Sequence, residues 1–422
     1  MKKLYLLPLL CFLTLASCKD DKELPVPQPE PEVPVPGEPD PETEAKEVAF
    51  SFRYDPRPEG IEDFELILSL NDSIILLDTL IAARTHHNLV VKSDKTKFDV
   101  TTVYSDPATG KYTMKTYVQV NPNNWHVKDY RTRTVQGETQ VSTVHYSNVT
   151  DIKRHRFSSE GTNRYEGDFH RDNLTMKYDR LLPSDLTYLL LPNTGKYIFA
   201  EAGTEETHVD FSEAITAERH MFNKPPGVDA ITAFLWGYAK AGDYSKQLLL
   251  YAHTSMPGDD YNLLYPSTVI EEFELGLSYD DAEGSRHSYG YAGTTVPTEV
   301  DMLAKADFTV TRAEFDNFGI EFEEDGPMSY EMMWEPRESD LNAQWYVYLS
   351  PEETTFNAKE FLGNLGAELL EGKDTTRFSL SFISSMKAEG YTFQSYHDYL
   401  NNQEAYLRKE MRQYRLISKR FR

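Results

Sequence analysis

The stretch FDVTTVYSDPATGKYTMKTYVQV, residues 98–120, decides the fold class of this chain. Its second half alternates, with Tyr112, Met114 and Val120 among the apolar residues of one face and polar side chains on the other. The residues that follow Phe98 alternate likewise, and Asp-Pro-Ala-Thr-Gly between the two runs has the composition of a hairpin loop. The stretch therefore predicts two antiparallel strands joined by a short turn.

The same pattern recurs along most of the chain. We predict further hairpins at residues 186–202 and 318–334, and another two-faced strand at 345–349. The aromatic share of 13%, with 27 tyrosines, suits the half-buried surface of a pleated sheet. Many short strands separated by turns predict an all-β chain of three to four Ig-like or fibronectin-like antiparallel β-sandwiches in series. The predicted sandwich segments are residues 47–168, 169–304 and 305–394.

The tail, residues 395–422, has a different period. Ser395 and Asp398 have the spacing of a capping box, which marks the start of a helix. Apolar residues then recur at helical spacing: Tyr396, Leu400, Leu407, Met411 and Tyr414. We therefore predict a C-terminal amphipathic helix of about twenty residues.

The polar face of that predicted helix is basic in a chain that is otherwise acidic. It carries Arg408, Lys409, Arg412 and Arg415. One interpretation is that this face packs against acidic neighbours of the same chain. The other is that it docks an anionic lipid headgroup or a partner protein. The sequence leaves both open.

The first 46 residues predict where the protein resides. Residues 1–17 have the parts of a secretory signal peptide: two lysines, an apolar run and small residues before Cys18. Residues 18–46 are rich in proline and acidic residues, which predicts an extended, semi-rigid linker. The mature body would then keep no cysteine, because Cys11 lies within the signal peptide.

Leu15-Ala16-Ser17-Cys18 resembles the bacterial lipobox, in which the cysteine is acylated. Lys19-Asp20-Asp21 behind it resembles the export signal of surface lipoproteins of the Bacteroidota. The resemblance covers residues 1–46 only, and we match the body to no family. It implies a protein that is lipid-anchored in the outer membrane through Cys18 and faces the cell exterior.

The sequence argues against several classes of function. The net charge of −25 argues against nucleic acid as a partner, because binding phosphates needs a basic face. The chain contains no H-E-x-x-H, G-x-S-x-G, P-loop or G-x-G-x-x-G motif. We therefore predict no catalytic residue, no cofactor and no metal site. Asp280 to Gly284 could suggest calcium, although a hairpin turn accounts for it better. Glu321 and Glu323, on one face of a predicted strand, leave a surface hydrolase open as an alternative.

Tryptophans and tyrosines supply what carbohydrate recognition uses, flat rings with polar tips. Trp125 follows a run of asparagines and prolines, so we expect it near a loop and select it as the candidate ligand-binding residue. Trp236, Trp334 and Trp345 lie in strand-like contexts, and we expect them in the core. The same aromatic residues also fill sandwich cores, so their number alone does not identify a site.

These features favour a non-enzymatic binding or accessory protein at the cell surface, one that captures glycan beside an outer-membrane uptake system. The rival hypothesis, of another class, is a structural, adhesin or assembly subunit of an outer-membrane protein complex. In that case its partner would be a protein and the basic tail its docking surface.

Overall fold

Alternating sequence builds most of the described chain into strands, as expected for an all-β protein. The computed structural model describes residues 45–57, 60–71, 74–128, 137–255, 261–323, 326–337 and 340–421. The predicted signal peptide, lipidated Cys18, the export signal Lys19-Asp20-Asp21 and the linker as far as residue 44 lie outside the described residues.

Within these residues the chain forms 28 strands. In chain order they are β1 Lys46–Asp55, β2 Asp63–Ser69, β3 Ile75–Ala82, β4 His87–Ser93, β5 Phe98–Asp106, β6 Lys111–Val120, β7 Trp125–Lys128, β8 Thr139–Ser147, β9 Arg156–Ser159, β10 Tyr165–His170, β11 Asn173–Leu181, β12 Asp185–Leu191, β13 Lys196–Ala202, β14 Glu206–Asp210, β15 Ile215–Thr216, β16 Glu218–Phe222, β17 Thr232–Tyr238, β18 Leu248–Thr254, β19 Tyr261–Tyr265, β20 Glu272–Asp280, β21 Arg286–Gly293, β22 Phe308–Glu314, β23 Asn317–Phe322, β24 Ser329–Pro336, β25 Ala343–Leu349, β26 Thr355–Phe356, β27 Phe378–Lys387 and β28 Gln413–Arg420.

Three short α-helices accompany the strands: α1 Ala358–Leu365, α2 Phe393–Asn401 and α3 Gln403–Leu407. Single 3₁₀ turns lie at Phe211–Glu213 and Glu368–Leu370. The predicted all-β sandwich class is confirmed, with helices near the C-terminus.

The hairpin at residues 98–120 forms as predicted. Strands β5 and β6 pair antiparallel, and the Asp106 carboxylate accepts hydrogen bonds from the Ala108 amide at 2.9 Å and the Thr109 hydroxyl at 2.8 Å. Gly110 follows with φ 65°, a left-handed conformation that glycine adopts without steric cost. The hairpin at β12–β13 is confirmed as well.

Most of the body is organised by one sheet of twelve strands. Its order is β18-β17-β20-β21-β28-β27-β24-β25-β6-β5-β2-β3, and β25 pairs parallel with β6 while every other pair in it is antiparallel. Strands from all three predicted sandwich segments belong to this sheet. β28, from the tail, pairs with β21 on one side and β27 on the other. We call it the long sheet.

Smaller sheets cover the long sheet on both faces. Leu66 and Leu68 lie in a core shared with the sheet β4-β1-β7, whereas Ile67 between them lies in a core shared with the sheet β22-β23-β26 and α1. Successive side chains of a strand point to opposite faces, so these two layers lie on opposite sides. We call the side of Leu66 the outer face and the side of Ile67 the inner face.

At the other end of the long sheet, further layers are stacked on the inner face. Leu235, Leu275 and Tyr289 share a core with Tyr188 and Leu190 of β12. The alternate residues of β12 share a second core with the sheet β10-β11-β8-β14. The sheet β15-β13-β12-β9 is therefore buried on both faces, which explains the continuous apolar run at the end of β12.

Two expectations about local structure are wrong. The stretch 318–334 is no hairpin, because β23 pairs with β22 and β26 while β24 pairs with β25 and β27. The two strands belong to different sheets that face each other across a shared core containing Phe318 and Trp334. Turn residues mark the change of direction equally well in both arrangements.

The predicted twenty-residue helix is the second error. The helical part ends at Leu407, and Thr392, three residues before the predicted cap, accepts the capping hydrogen bond from the Ser395 amide. From residue 413 the chain is strand β28, whose Ile417 is fully buried between β21 and β27. For residues 413–420, pairing with β21 and β27 on both edges selects the strand over the helix.

The boundaries of the three sandwich segments stay predictions. The boundary at residues 168–169 falls inside β10, and the one at 394–395 falls inside α2. The boundary at 304–305 lies in the connection between β21 and β22.

Candidate functional site

The first candidate, Trp125, is buried. Its side chain is 1% exposed, and the rings of Tyr117 and His397 lie 5.4 Å and 5.8 Å from its own. Helix α2 covers it, and Gln394 of that helix accepts a hydrogen bond from the Asn121 amide at 2.8 Å. The expected exposure of Trp125 is therefore wrong, because a segment distant in sequence packs over its loop.

The other tryptophans divide differently from expectation. Trp334 and Trp345 are fully buried, which confirms them as core residues. Trp236 is only partly buried, and it lies next to Phe234, which is 45% exposed. β17 thus presents two aromatic rings on the outer face, where the sequence predicted a core position for Trp236.

The strand register places these rings in an open row across the outer face. Phe234 of β17 pairs with Gly276 of β20, Gly276 with Gly290 of β21, and Gly290 with Tyr414 of β28. Residues paired in register project to the same face of a sheet, so the two glycines form a floor between two aromatic rings. Three strand spacings separate the ends of the row, about 14 Å.

Because the two glycines have no side chains, the surface between the aromatic rings is formed by backbone. A Cβ atom on Gly290 would lie 2.1 Å from the Tyr414 ring, so that ring lies directly on the glycine backbone. A Cβ atom on Gly276 would meet no atom closer than the Phe234 carbonyl oxygen at 4.0 Å. The Tyr414 ring therefore covers the floor at Gly290, whereas the backbone at Gly276 is uncovered. Glycine inside a strand often marks such a close approach.

Helices α2 and α3 and the connector to β28 form a wall beside this floor. Tyr396 and Met411 pack against Met386 of the sheet, which fixes the wall to the outer face. The enclosed space is a groove of about 1130 Å³. We call it the groove; the aromatic side chains that line it on the outer face are Phe234, Trp236, Tyr396, Tyr399, Tyr406 and Tyr414.

His397 holds α2 in place from its other side. It is 1% exposed and lies 4.6 Å from the ring of Phe393, 5.3 Å from that of Tyr117 and 5.8 Å from that of Trp125. Burial among these rings lowers the pKa of His397 to about 3. The side chain is therefore neutral at ordinary pH and acts as a packing residue beneath the wall.

Two matched ion pairs tie the connector to β20 at one end of the groove. Lys409 pairs with Glu274, and its Nζ also donates to the Tyr238 hydroxyl at 2.8 Å, which itself donates to Glu274 at 2.7 Å. Arg412 pairs with Glu272, and Tyr244 stands between them in the same way.

The Glu272 carboxylate is ionised in this setting. Burial opposes ionisation, but hydrogen bonds from Tyr244, the Gly242 amide and Arg412 outweigh it and lower the pKa of Glu272. Its side chain is 5% exposed. The negative charge is thus held where it neutralises the cation above it.

The remaining basic residues of the tail also have acidic neighbours. Arg408 pairs with Glu404 one helical turn away, and Arg415 donates to Asp307 at 2.7 Å. All four cations lie outside the helices, since α3 ends at Leu407, so they do not form one helical face. A docking role for them stays a prediction.

The acidic residues that the sequence suggested as candidates do not form a common site. Glu321 and Glu323 are exposed, and Glu323 pairs with Lys305. Asp281 accepts hydrogen bonds from the Glu283 and Ser285 amides and closes the β20–β21 turn, which confirms the hairpin at residues 280–284. In the part of the chain that the structure describes, no three His, Cys, Asp or Glu side chains lie close enough together to hold a metal ion.

Sequence reasoning missed the groove because its lining comes from six strands and two helices. One signal was available. β20 and β21 each carry a glycine at an interior position, and these positions face each other in the hairpin. Interior glycines in adjacent strands indicate a place where another group can approach the backbone closely, but they do not identify that group.

Comparison with known proteins adds no relative. No protein-family model matches the chain, and no curated protein is significantly similar to it. Among the described residues no helix is both long and apolar enough to cross a membrane.

Proposed function

We propose that this chain is a lipid-anchored protein of the outer cell surface that binds glycan in the groove without chemical turnover. The location rests on the lipobox, the Lys19-Asp20-Asp21 sequence and the acidic proline-rich linker. The activity rests on one observation, the glycine-floored row between Phe234 and Tyr414.

The lining of the groove suits a sugar chain. A sugar ring has flat C–H faces that stack on aromatic rings, and hydroxyls at its rim that need hydrogen-bonding partners. The groove offers exposed rings at both ends of its floor and polar side chains around them, including Gln247, Gln403 and Lys128. Ligand sites combine apolar surface with a few placed polar groups in this manner.

Affinity gels with a panel of polysaccharides test the proposal. Phe234→Ala removes one ring of the row, and Phe169→Ala is its matched control because Phe169 is 44% exposed on β10. We expect retardation of the native protein and of Phe169→Ala, and its loss in Phe234→Ala. Equal retardation of both variants would show that any glycan binds elsewhere.

The predicted location is tested separately on whole cells. Replacing Cys18 by alanine should abolish labelling with a radioactive fatty acid. Replacing Lys19, Asp20 and Asp21 by alanines should protect the body from external protease. A body that is shaved equally in both proteins would show that these three residues do not direct export.

The rival hypothesis, that the protein is an assembly subunit, is tested by changes in the C-terminal tail. Removing residues 395–422 also removes β28, so loss of a partner on truncation would not distinguish docking from misfolding. Arg408→Ala is the cleaner change, because Arg408 lies on the surface and its only described ion pair is with Glu404. Partners that co-purify with the native protein and not with this variant would favour the rival.

A further inference from the structure

We infer that the groove selects uncharged oligosaccharide segments and rejects polyanionic glycans. This inference rests on the proposed function and names the class of glycan that its groove takes. It follows from how the charges at the groove are paired and from the length of its floor.

Two of the three cations that line the groove, Lys409 and Arg412, are neutralised by carboxylates of the chain, and Lys128 is the third. Lys409 is 11% exposed and held by Glu274 and the Tyr238 hydroxyl, with its Nζ also 5.0 Å from the centre of the Tyr238 ring. Arg412 is held by Glu272 and Tyr244. To gain a charge-assisted hydrogen bond from Lys409 or Arg412, a carboxylate or sulfate on a sugar would have to displace the internal carboxylate that holds it.

The rest of the molecule adds to this discrimination. The formal net charge of −25 repels a polyanion on approach, and it does so most at low ionic strength. A neutral glycan is not subject to this repulsion. Its affinity would come from ring stacking and from hydrogen bonds, which salt affects little.

The floor accommodates more than one sugar unit. The row from Phe234 to Tyr414 crosses four adjacent strands, about 14 Å between the end backbones, and because the Tyr414 ring lies over Gly290 the two rings are roughly 10 Å apart. Exposed rings lie at its two ends and the open backbone of Gly276 lies between them. A chain of sugars can therefore stack at both ends while passing over the glycine floor.

A floor-filling variant tests the site without removing a contact. Gly276→Val places methyl groups on the floor where the space is open, and valine favours a strand. Gly203→Val is the control, since a side chain there also meets nothing within 4 Å and lies outside the groove. Both variants are first compared with the native protein by thermal melting.

The measurement is retardation in gels that contain either neutral or anionic polysaccharide. Hydroxyethyl cellulose, xylan, mannan and dextran are the neutral probes, and polygalacturonate, chondroitin sulfate and heparin are the anionic ones. We expect at least one neutral probe to retard the native protein and Gly203→Val, and to bind Gly276→Val about tenfold more weakly, which corresponds to about 1.4 kcal/mol. We expect no anionic probe to retard the native protein.

Glu274→Gln makes the charge argument itself testable. This change removes the carboxylate that neutralises Lys409, so we expect the variant to be retarded by an anionic probe that leaves the native protein unaffected. Phe234→Ala serves as the second groove variant if Gly276→Val melts well below the native protein.

The outcomes separate the inference from the function on which it rests. Retardation of the native protein by an anionic probe, abolished by Gly276→Val, would overturn the inference and leave glycan binding in the groove intact. A Glu274→Gln protein that still ignores every anionic probe would also overturn the inference. No retardation by any probe, or equal retardation of Gly276→Val and Gly203→Val, would overturn the proposed function together with it.

Discussion

Acid should lower the free energy of unfolding of this protein through His397, and replacing that residue should remove this effect. The side chain lies among the rings of Phe393, Tyr117 and Trp125, and its pKa in the folded state is about 3, against an ordinary value of 6.5. Below pH 6.5 the unfolded chain takes up a proton at this position and the folded chain does not. Stability is therefore fully present above pH 6.5 and falls as the pH drops toward 3.

The magnitude follows from the difference between the two pKa values. Each pH unit in this window costs about 1.4 kcal/mol, so the loss is roughly 2 kcal/mol at pH 5 and approaches roughly 5 kcal/mol near pH 3. His397→Phe fills the same aromatic pocket without a titrating group. We expect its free energy of unfolding, relative to that of the native protein, to rise by about 2 kcal/mol between pH 7.5 and pH 5.

Denaturant unfolding at pH 7.5, 6 and 5, followed by tryptophan fluorescence, measures this change, since the Trp125 ring lies 5.8 Å from that of His397. His86→Phe is the control, because His86 is an exposed histidine. If His397→Phe and the native protein lose stability in parallel as the pH falls, His397 does not determine the acid response and the reasoning fails.

Three further predictions concern the long sheet. Burial raises the pKa of Glu331 to about 7, so its contribution to stability is present below pH 4.5 and is lost as the pH rises to 7. In denaturant unfolding at pH 8, Glu331→Gln should therefore have a free energy of unfolding up to about 3 kcal/mol above that of the native protein, and the gain should vanish at pH 4.5. Trp334→Ala should cost about 3 to 5 kcal/mol in denaturant unfolding, because the ring is fully buried against Phe315 and Phe318; a loss below about 1 kcal/mol would contradict that packing. Deleting residues 413–422 should leave β21 and β27 unpaired on one side, and hydrogen exchange should show faster exchange in both strands; unchanged protection would refute the strand order.

The sequence predicted what depends on neighbouring residues. The hairpin at β5–β6 needs only two alternating runs and a turn with Asp106 and Gly110, all of them local. The failure at residues 318–334 was of another kind. Two alternating runs and a turn look the same when the strands pair and when they face each other from different sheets, and only the rest of the fold decides between the two.

The site depended on contacts that no local pattern contains. Trp125 is covered by α2 from the far end of the chain, and Trp236 remains partly exposed where it lines the groove on the outer face. The groove appears only when β17, β20, β21 and β28 are in register. Residues 413–420 have no regular alternation of their own, and their pairing in the completed sheet determined the outcome.

The position of β28 imposes an order of events on biosynthesis. This strand leaves the ribosome after every other described strand, yet it lies between β21 and β27 in the interior of the long sheet. Until it arrives, β21 and β27 each offer a bare edge to any nearby strand, which is a route to misassembly. We therefore expect the pairing of β28 with β21 and β27 to be among the last steps in forming the long sheet.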